Sequence, residues 1–243
     1  MLSEKLDKAM HGEPEPHLSA SGKYLRPLVY GGLDGIITTF AVVAGVAGAA
    51  LAPAIVLILG FANLIGDGIS MSVGSYLSNR AEHAYHKAER KREAWEIENW
   101  PKKEYQELLE FYEKKGFSKQ DTKKLADIIF GNKQATLEVM MIEELGIIVS
   151  ENDPFKEAAV TFFSFLCFGF IPLLTYVLAA FIVIENTFVI ACVLTALTLF
   201  LLGTVKVKVT AQNWFKAGLE TLLVGGIAAT AAYGIGYFIS TLV

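Results

Sequence analysis

Residues Gly60–Met71 read GFANLIGDGISM, and they lie in an apolar run that begins after Pro53 and passes without a stop signal into SYLSNRAEHAYHKAERKREAWEIENW, ending at Trp100. That continuity predicts one helix that starts in an apolar medium and finishes in a charged one. Asn63, Asp67 and Met71 are spaced four apart, so at 3.6 residues per turn they fall on one face, each a turn beyond the last. Burying an ionisable side chain at bilayer depth costs at least ~2.5 kcal/mol, so Asp67 calls for a functional reason.

The flanking sequence supports a membrane setting. Hydrophobic residues make up 53% of the 243-residue chain. Charge is segregated, with 16 of the 25 acidic and 13 of the 21 basic residues between Arg80 and Asp153. The first apolar segment runs from Leu25 to Ala50 and carries one charge, Asp34. A short turn at Pro53 sends Ala54 to Leu77 back antiparallel. After the charged stretch come Ala158 to Phe181, Thr187 to Val205 and Ala217 to Leu242. Each exceeds the ~18 residues expected of a spanning helix, which predicts five spans.

The charged middle is itself helical. Lys102–Lys115 is amphipathic and stopped by Gly116, Ser118 caps a second helix to Phe130, and Gln134–Leu145 forms a third that ends before Gly146. The expected fold is therefore an all-α integral membrane protein with five transmembrane helices and a three-to-four-helix insert between helices 2 and 3. Its segments would be a leader at 1–24, spans at 25–79, the insert at 80–154 and further spans at 155–243. Ala41, Gly45 and Ala49 recur every four positions in the first span, a pattern that lets helices approach closely and predicts the interface of a homodimer in the bilayer.

Lys23 and Arg26, the basic residues from Arg80 to Arg92, and Lys206, Lys208 and Lys216 all fall on one side of the five spans. The positive-inside rule then makes the leader and the insert cytosolic. A net charge of −4 gives no basic face for nucleic acid. Cys167 and Cys192 lack any CxxC or ligand neighbour and read as small hydrophobes. No organic cofactor is expected and no enzyme chemistry is implied.

Asp34 and Asp67 have no sequence-evident cation at membrane depth, so they must be protonated, hydrated or metal-bound. A proton and a metal compete for the same oxygens, which in a transporter turns those states into steps of a cycle. The Met71 sulfur favours a transition metal over magnesium or calcium. In the insert, Glu93 and Glu96 share one helix face, Glu104 and Glu107 share the next, and Met140, Met141, Glu143 and Glu144 close the last helix. Spacing alone leaves these open between a solvated, lysine-paired surface and a metal-ligand set. No Glu-x-x-His motif is present, which argues against ferritin-like oxidation.

The segments YGGLDGIITTFAVVAGVAGA, GDGISMSVGSYLSNRAEHAYHKAERKRE and VMMIEELG, in that order around a helical insert, resemble the vacuolar iron transporter family from Tyr30 onward. The resemblance implies a dimer of five-helix subunits that exchanges protons for ferrous iron, with manganese as a second candidate cargo, across a vacuolar or prokaryotic plasma membrane. It matches Asp34 and Met71 to the transit site, and Glu93, Glu96, Glu104, Glu107 and Glu144, with Met140 and Met141, to a cytosolic metal-binding domain. One position departs, because the family's second-helix glutamate falls on Asn63, which cannot take up a proton. Asp67, one turn on, is expected to supply that group. The rival expectations are a membrane-anchored iron store or sensor that transports nothing, and a manganese-selective exporter.

Overall fold

The computed structural model describes residues 24–148, 152–205, 207 and 213–242. The leader up to residue 23, with Lys23, lies outside them, as do Lys206 and Lys208. The described chain forms eight helices: α1 (Leu25–Gly48), α2 (Pro53–Asn99), α3 (Pro101–Lys114), α4 (Lys119–Phe130), α5 (Lys133–Glu143), α6 (Pro154–Ala179), α7 (Thr187–Val205) and α8 (Trp214–Ser240). Five of them, α1, α2, α6, α7 and α8, are long and apolar enough to cross a membrane, and α3 to α5 fall between the second and third of these.

Local chemistry sets the boundaries. Ala50 adopts φ +53, in the left-handed region, and makes the turn before α2. Helix α2 is unbroken over 47 residues, ~70 Å at 1.5 Å per residue. Helices α6 and α8 start earlier than hydropathy predicts. Asp153 accepts a hydrogen bond from the Phe155 N–H at 2.9 Å, and Asn213 accepts from Phe215 N–H, also at 2.9 Å. Such caps extend a helix beyond its apolar stretch.

The chain divides into two compact units, one made of the helices up to Tyr76 and from Asp153 on, the other of Leu77–Asn152. In the first, Phe40, Val43, Val56, Leu64, Phe165, Leu173, Tyr176 and Ala191 form a buried core from α1, α2, α6 and α7. Helix α1 is the inner helix, with 50% of its apolar window buried against 6% for α8. Glycines bring its neighbours close. A methyl added at Gly35 would fall on the Phe165 carbonyl of α6, one at Gly48 on the Tyr233 carbonyl of α8, and one at Gly236 on the Gly45 carbonyl. Gly45, in the small-residue ladder predicted for a dimer interface, and Gly48 beside that ladder thus meet α8 of their own chain, because small residues suit any close helix crossing, within a chain or between chains.

The second unit has its own core of Leu108, Ala126 and Met140, flanked by Tyr105, Phe111, Tyr112, Ile129, Phe130 and Val139. Its turns carry the expected chemistry. Gly116, at φ +93, ends α3. The Ser118 hydroxyl accepts from Asp121 N–H at 3.2 Å to start α4, and the Asn132 side-chain Oδ1 accepts from Gln134 and Ala135 N–H at 3.0 and 3.2 Å to start α5.

Candidate metal-binding sites

In the insert the site is made by a corner. Trp100 leaves the helical path at φ −125, and Pro101 takes the first position of α3, where its missing N–H costs nothing. Glu93 and Glu96, on the last turns of α2, are thereby brought to Glu104 on the first turn of α3. Each of the three offers an oxygen within 4.8 Å of the others. Glu104, Glu107 and Glu144 form a second group on the same criterion, so Glu104 belongs to both.

Glu93, Glu96 and Glu104 are buried, Glu107 is half-buried and Glu144 lies at the exposed edge. Glu104 is 0% exposed and Glu93 3%. Glu93 Oε1, Glu104 Oε2 and Glu107 Oε2 are buried without a hydrogen-bond partner. Burial, then the facing carboxylates of Glu144 and Glu104, pushes Glu93 up to about 8. Burial and then Glu107 raise Glu104, and burial followed by Glu107 and Glu104 raises Glu144. Uncompensated carboxylates at such spacing must hold protons or share a cation.

Two basic side chains touch the cluster. Arg92 Nε donates to Glu96 Oε1 at 2.9 Å. Lys103 Nζ lies 3.0 Å from Glu107 Oε1 and 3.5 Å from Glu104 Oε1. The four-residue spacing of Arg92 with Glu96 and of Lys103 with Glu107 is a signal readable in the sequence. Five clustered carboxylates against two cations, with buried lone pairs unsatisfied, suit a divalent ion that accepts oxygen ligands.

The remaining expected insert ligands are placed differently. Glu143 pairs with Lys115 and is in neither carboxylate group. Met140, fully buried, packs with Leu108 and Ala126, and Met141 is buried at 2% exposure.

In the membrane unit, Asn63, Asp67 and Met71 are all half-buried on the side of α2 that carries buried Gly60, Leu64 and Gly68. Opposite them Ile58, Phe61, Ile65, Ile69, Val73 and Leu77 form an exposed apolar stripe. The ladder therefore turns inward. The Asn63 Nδ2 is buried without a partner, and Met71 packs against the core. Asp34 on α1 is half-buried, as Asp67 is. No Lys or Arg forms an ion pair with either among the described residues.

The model of the VIT family matches residues 25–237. The chain belongs to the VIT family. Among other VIT proteins, a vacuolar iron transporter of Toxoplasma gondii is 42% identical over 237 residues, covering 94% of this chain and 78% of its own length. One from Plasmodium berghei is 41% identical over 97% of this chain and 88% of its own. Vacuolar iron transporter 1 of Arabidopsis thaliana is 32% identical over 90% of this chain and 87% of its own. This VIT chain is accordingly a multi-pass membrane protein.

Proposed function

We propose that this protein carries ferrous iron out of the cytosol in exchange for protons, as its relatives' name and its two carboxylate sites together suggest. The observation that carries the reading is the insert cluster, where Glu93, Glu96, Glu104, Glu107 and Glu144 converge with buried, unpartnered oxygens. The insert, on the cytosolic side with the leader, collects the ion. Asp34, Asp67 and Met71, assisted by the Asn63 amide, form the transit site, each supplied twice by a homodimer. The membrane is that of a vacuole or a comparable acidic compartment.

Exchange follows from competition for the same oxygens. On the cytosolic side, where protons are scarce, Asp34 and Asp67 ionise and take the metal. On the acidic side a proton binds them and the metal leaves. Two carboxylates that form no ion pair among the described residues are suited to this, because neither the metal nor the proton has to displace a fixed positive charge. The Met71 thioether tilts the choice toward a transition metal, and manganese remains the second cargo to test.

The experiment is ferrous iron flux into proteoliposomes with a pH gradient imposed or collapsed, with and without competing manganese. Uptake should rise several-fold with an acidic lumen. Flux indifferent to the gradient would refute antiport, and no flux with intact metal binding would favour a store or sensor.

A further inference from the structure

We propose that Lys103 is a tethered cation that competes with the divalent metal for the Glu104–Glu107 pair, and so sets both the affinity and the charge selectivity of the insert. This rests on the reading of the insert as the metal collector. Lys103 Nζ lies 3.0 Å from Glu107 Oε1 and 3.5 Å from Glu104 Oε1, so one ammonium bridges two carboxylates. Both belong to the same three-residue ligand group with Glu144.

The two ends of this contact differ in their surroundings. The Glu104 side chain is 0% exposed, whereas that of Lys103 is 53% exposed. The carboxylate is fixed, and the ammonium has an open path to solvent on a flexible four-carbon stem. Lys103 Nζ also lies 5.8 Å from the centroid of the Trp100 ring, a cation–π contact that does not depend on the carboxylates. The ammonium can therefore leave the carboxylates without unfolding anything and without losing all its favourable contacts.

A metal seated on the other oxygens, Glu104 Oε2 and Glu107 Oε2, would stand within a few ångströms of that ammonium and be repelled by it. Entry of the metal and departure of Lys103 are then one exchange. A divalent ion gains twice from each carboxylate what a monovalent ion gains, so it can expel the ammonium. Potassium or sodium, with the same charge as the ammonium and no tether, cannot compete at ordinary concentrations. The lysine thereby keeps the cluster from being filled by abundant monovalent ions.

The test is calorimetric titration of the full-length protein in detergent with ferrous iron under anaerobic conditions, comparing the wild type with Lys103→Met, which keeps the stem length, and Lys103→Arg, which keeps the charge. Glu104→Gln serves as the reference for loss of the site. Lys103→Met should bind iron roughly threefold to tenfold more tightly at low salt, and added potassium should weaken its binding more than the wild type's. Lys103→Arg should stay near the wild type in both respects. If the wild type binds iron and Lys103→Met binds with equal or lower affinity and the same potassium dependence, the competitor role is overturned while the collector reading stands. If the wild type binds no iron, or Glu104→Gln binds as well as it does, both are overturned.

Discussion

The metal-free insert should lose stability as pH rises, and Glu93 should be the main cause. Its carboxyl is held at about 8, against 4.5 for an ordinary glutamate, by burial and by the facing Glu144 and Glu104. Between those two values the folded state holds the proton more tightly than the unfolded state. Stability is therefore full below about 4.5, declines through the window up to about 8, and is flat above it. At ~1.4 kcal/mol per pKa unit the whole displacement corresponds to no more than about 5 kcal/mol. The proton is shared electrostatically with neighbouring glutamates, and Glu144 is exposed, so water reaches the edge of the cluster and about 2 kcal/mol is a realistic loss. Glu93→Gln keeps the shape and removes the ionisation. With a chelator present and Trp214 replaced by Phe, so that only Trp95 and Trp100 report, unfolding of the full-length protein followed by fluorescence should show the otherwise wild-type chain losing about 2 kcal/mol between pH 5 and pH 9. The variant should lose less than half as much, its residual slope coming from Glu104 and Glu144. A wild type indifferent to pH, or a variant with an undiminished slope, would refute the reasoning.

In the membrane unit, Asp67→Asn should abolish the dependence of iron flux on the pH gradient in proteoliposomes. If it left coupled flux intact while Asn63→Asp altered it, Asp67 would not be the proton-carrying group of α2. Gly236→Leu should destabilise the protein by at least about 1–3 kcal/mol, because the added side chain meets the Gly45 carbonyl of α1; a thermal midpoint equal to the wild type's would contradict that crossing. Asn132→Ala removes the acceptor for Gln134 and Ala135 N–H at the start of α5, and should lower insert stability by about 1 kcal/mol in the same fluorescence assay, with Asn132→Ser restoring most of it.

Much of the architecture is legible in the sequence because it depends on local signals. Hydropathy places the five spans, Gly116 and Ser118 mark the α3–α4 turn, and the lack of any breaker between Gly74 and Trp100 reveals that α2 runs on beyond its apolar part. What is not legible is which surfaces meet. The Ala41–Gly45–Ala49 ladder says that something packs closely on α1, but the partner at Gly45 and Gly48 is α8, nearly two hundred residues along the chain. The same holds for the insert. Spacing puts Glu93 with Glu96 and Glu104 with Glu107, yet only the corner at Trp100–Pro101 joins the two pairs, and only the fold separates Glu144, which completes a carboxylate group, from its neighbour Glu143, which is engaged by Lys115.

The double membership of Glu104 has its own consequence. An ion held by Glu93, Glu96 and Glu104 would withdraw an oxygen and a negative charge from the group that Glu104 forms with Glu107 and Glu144. The two positions are neighbours with a common wall, and filling one depreciates the other. Loading of the insert should therefore be graded, with a steep first step and a reluctant second. Where both positions fill, the second ion should be the more weakly held.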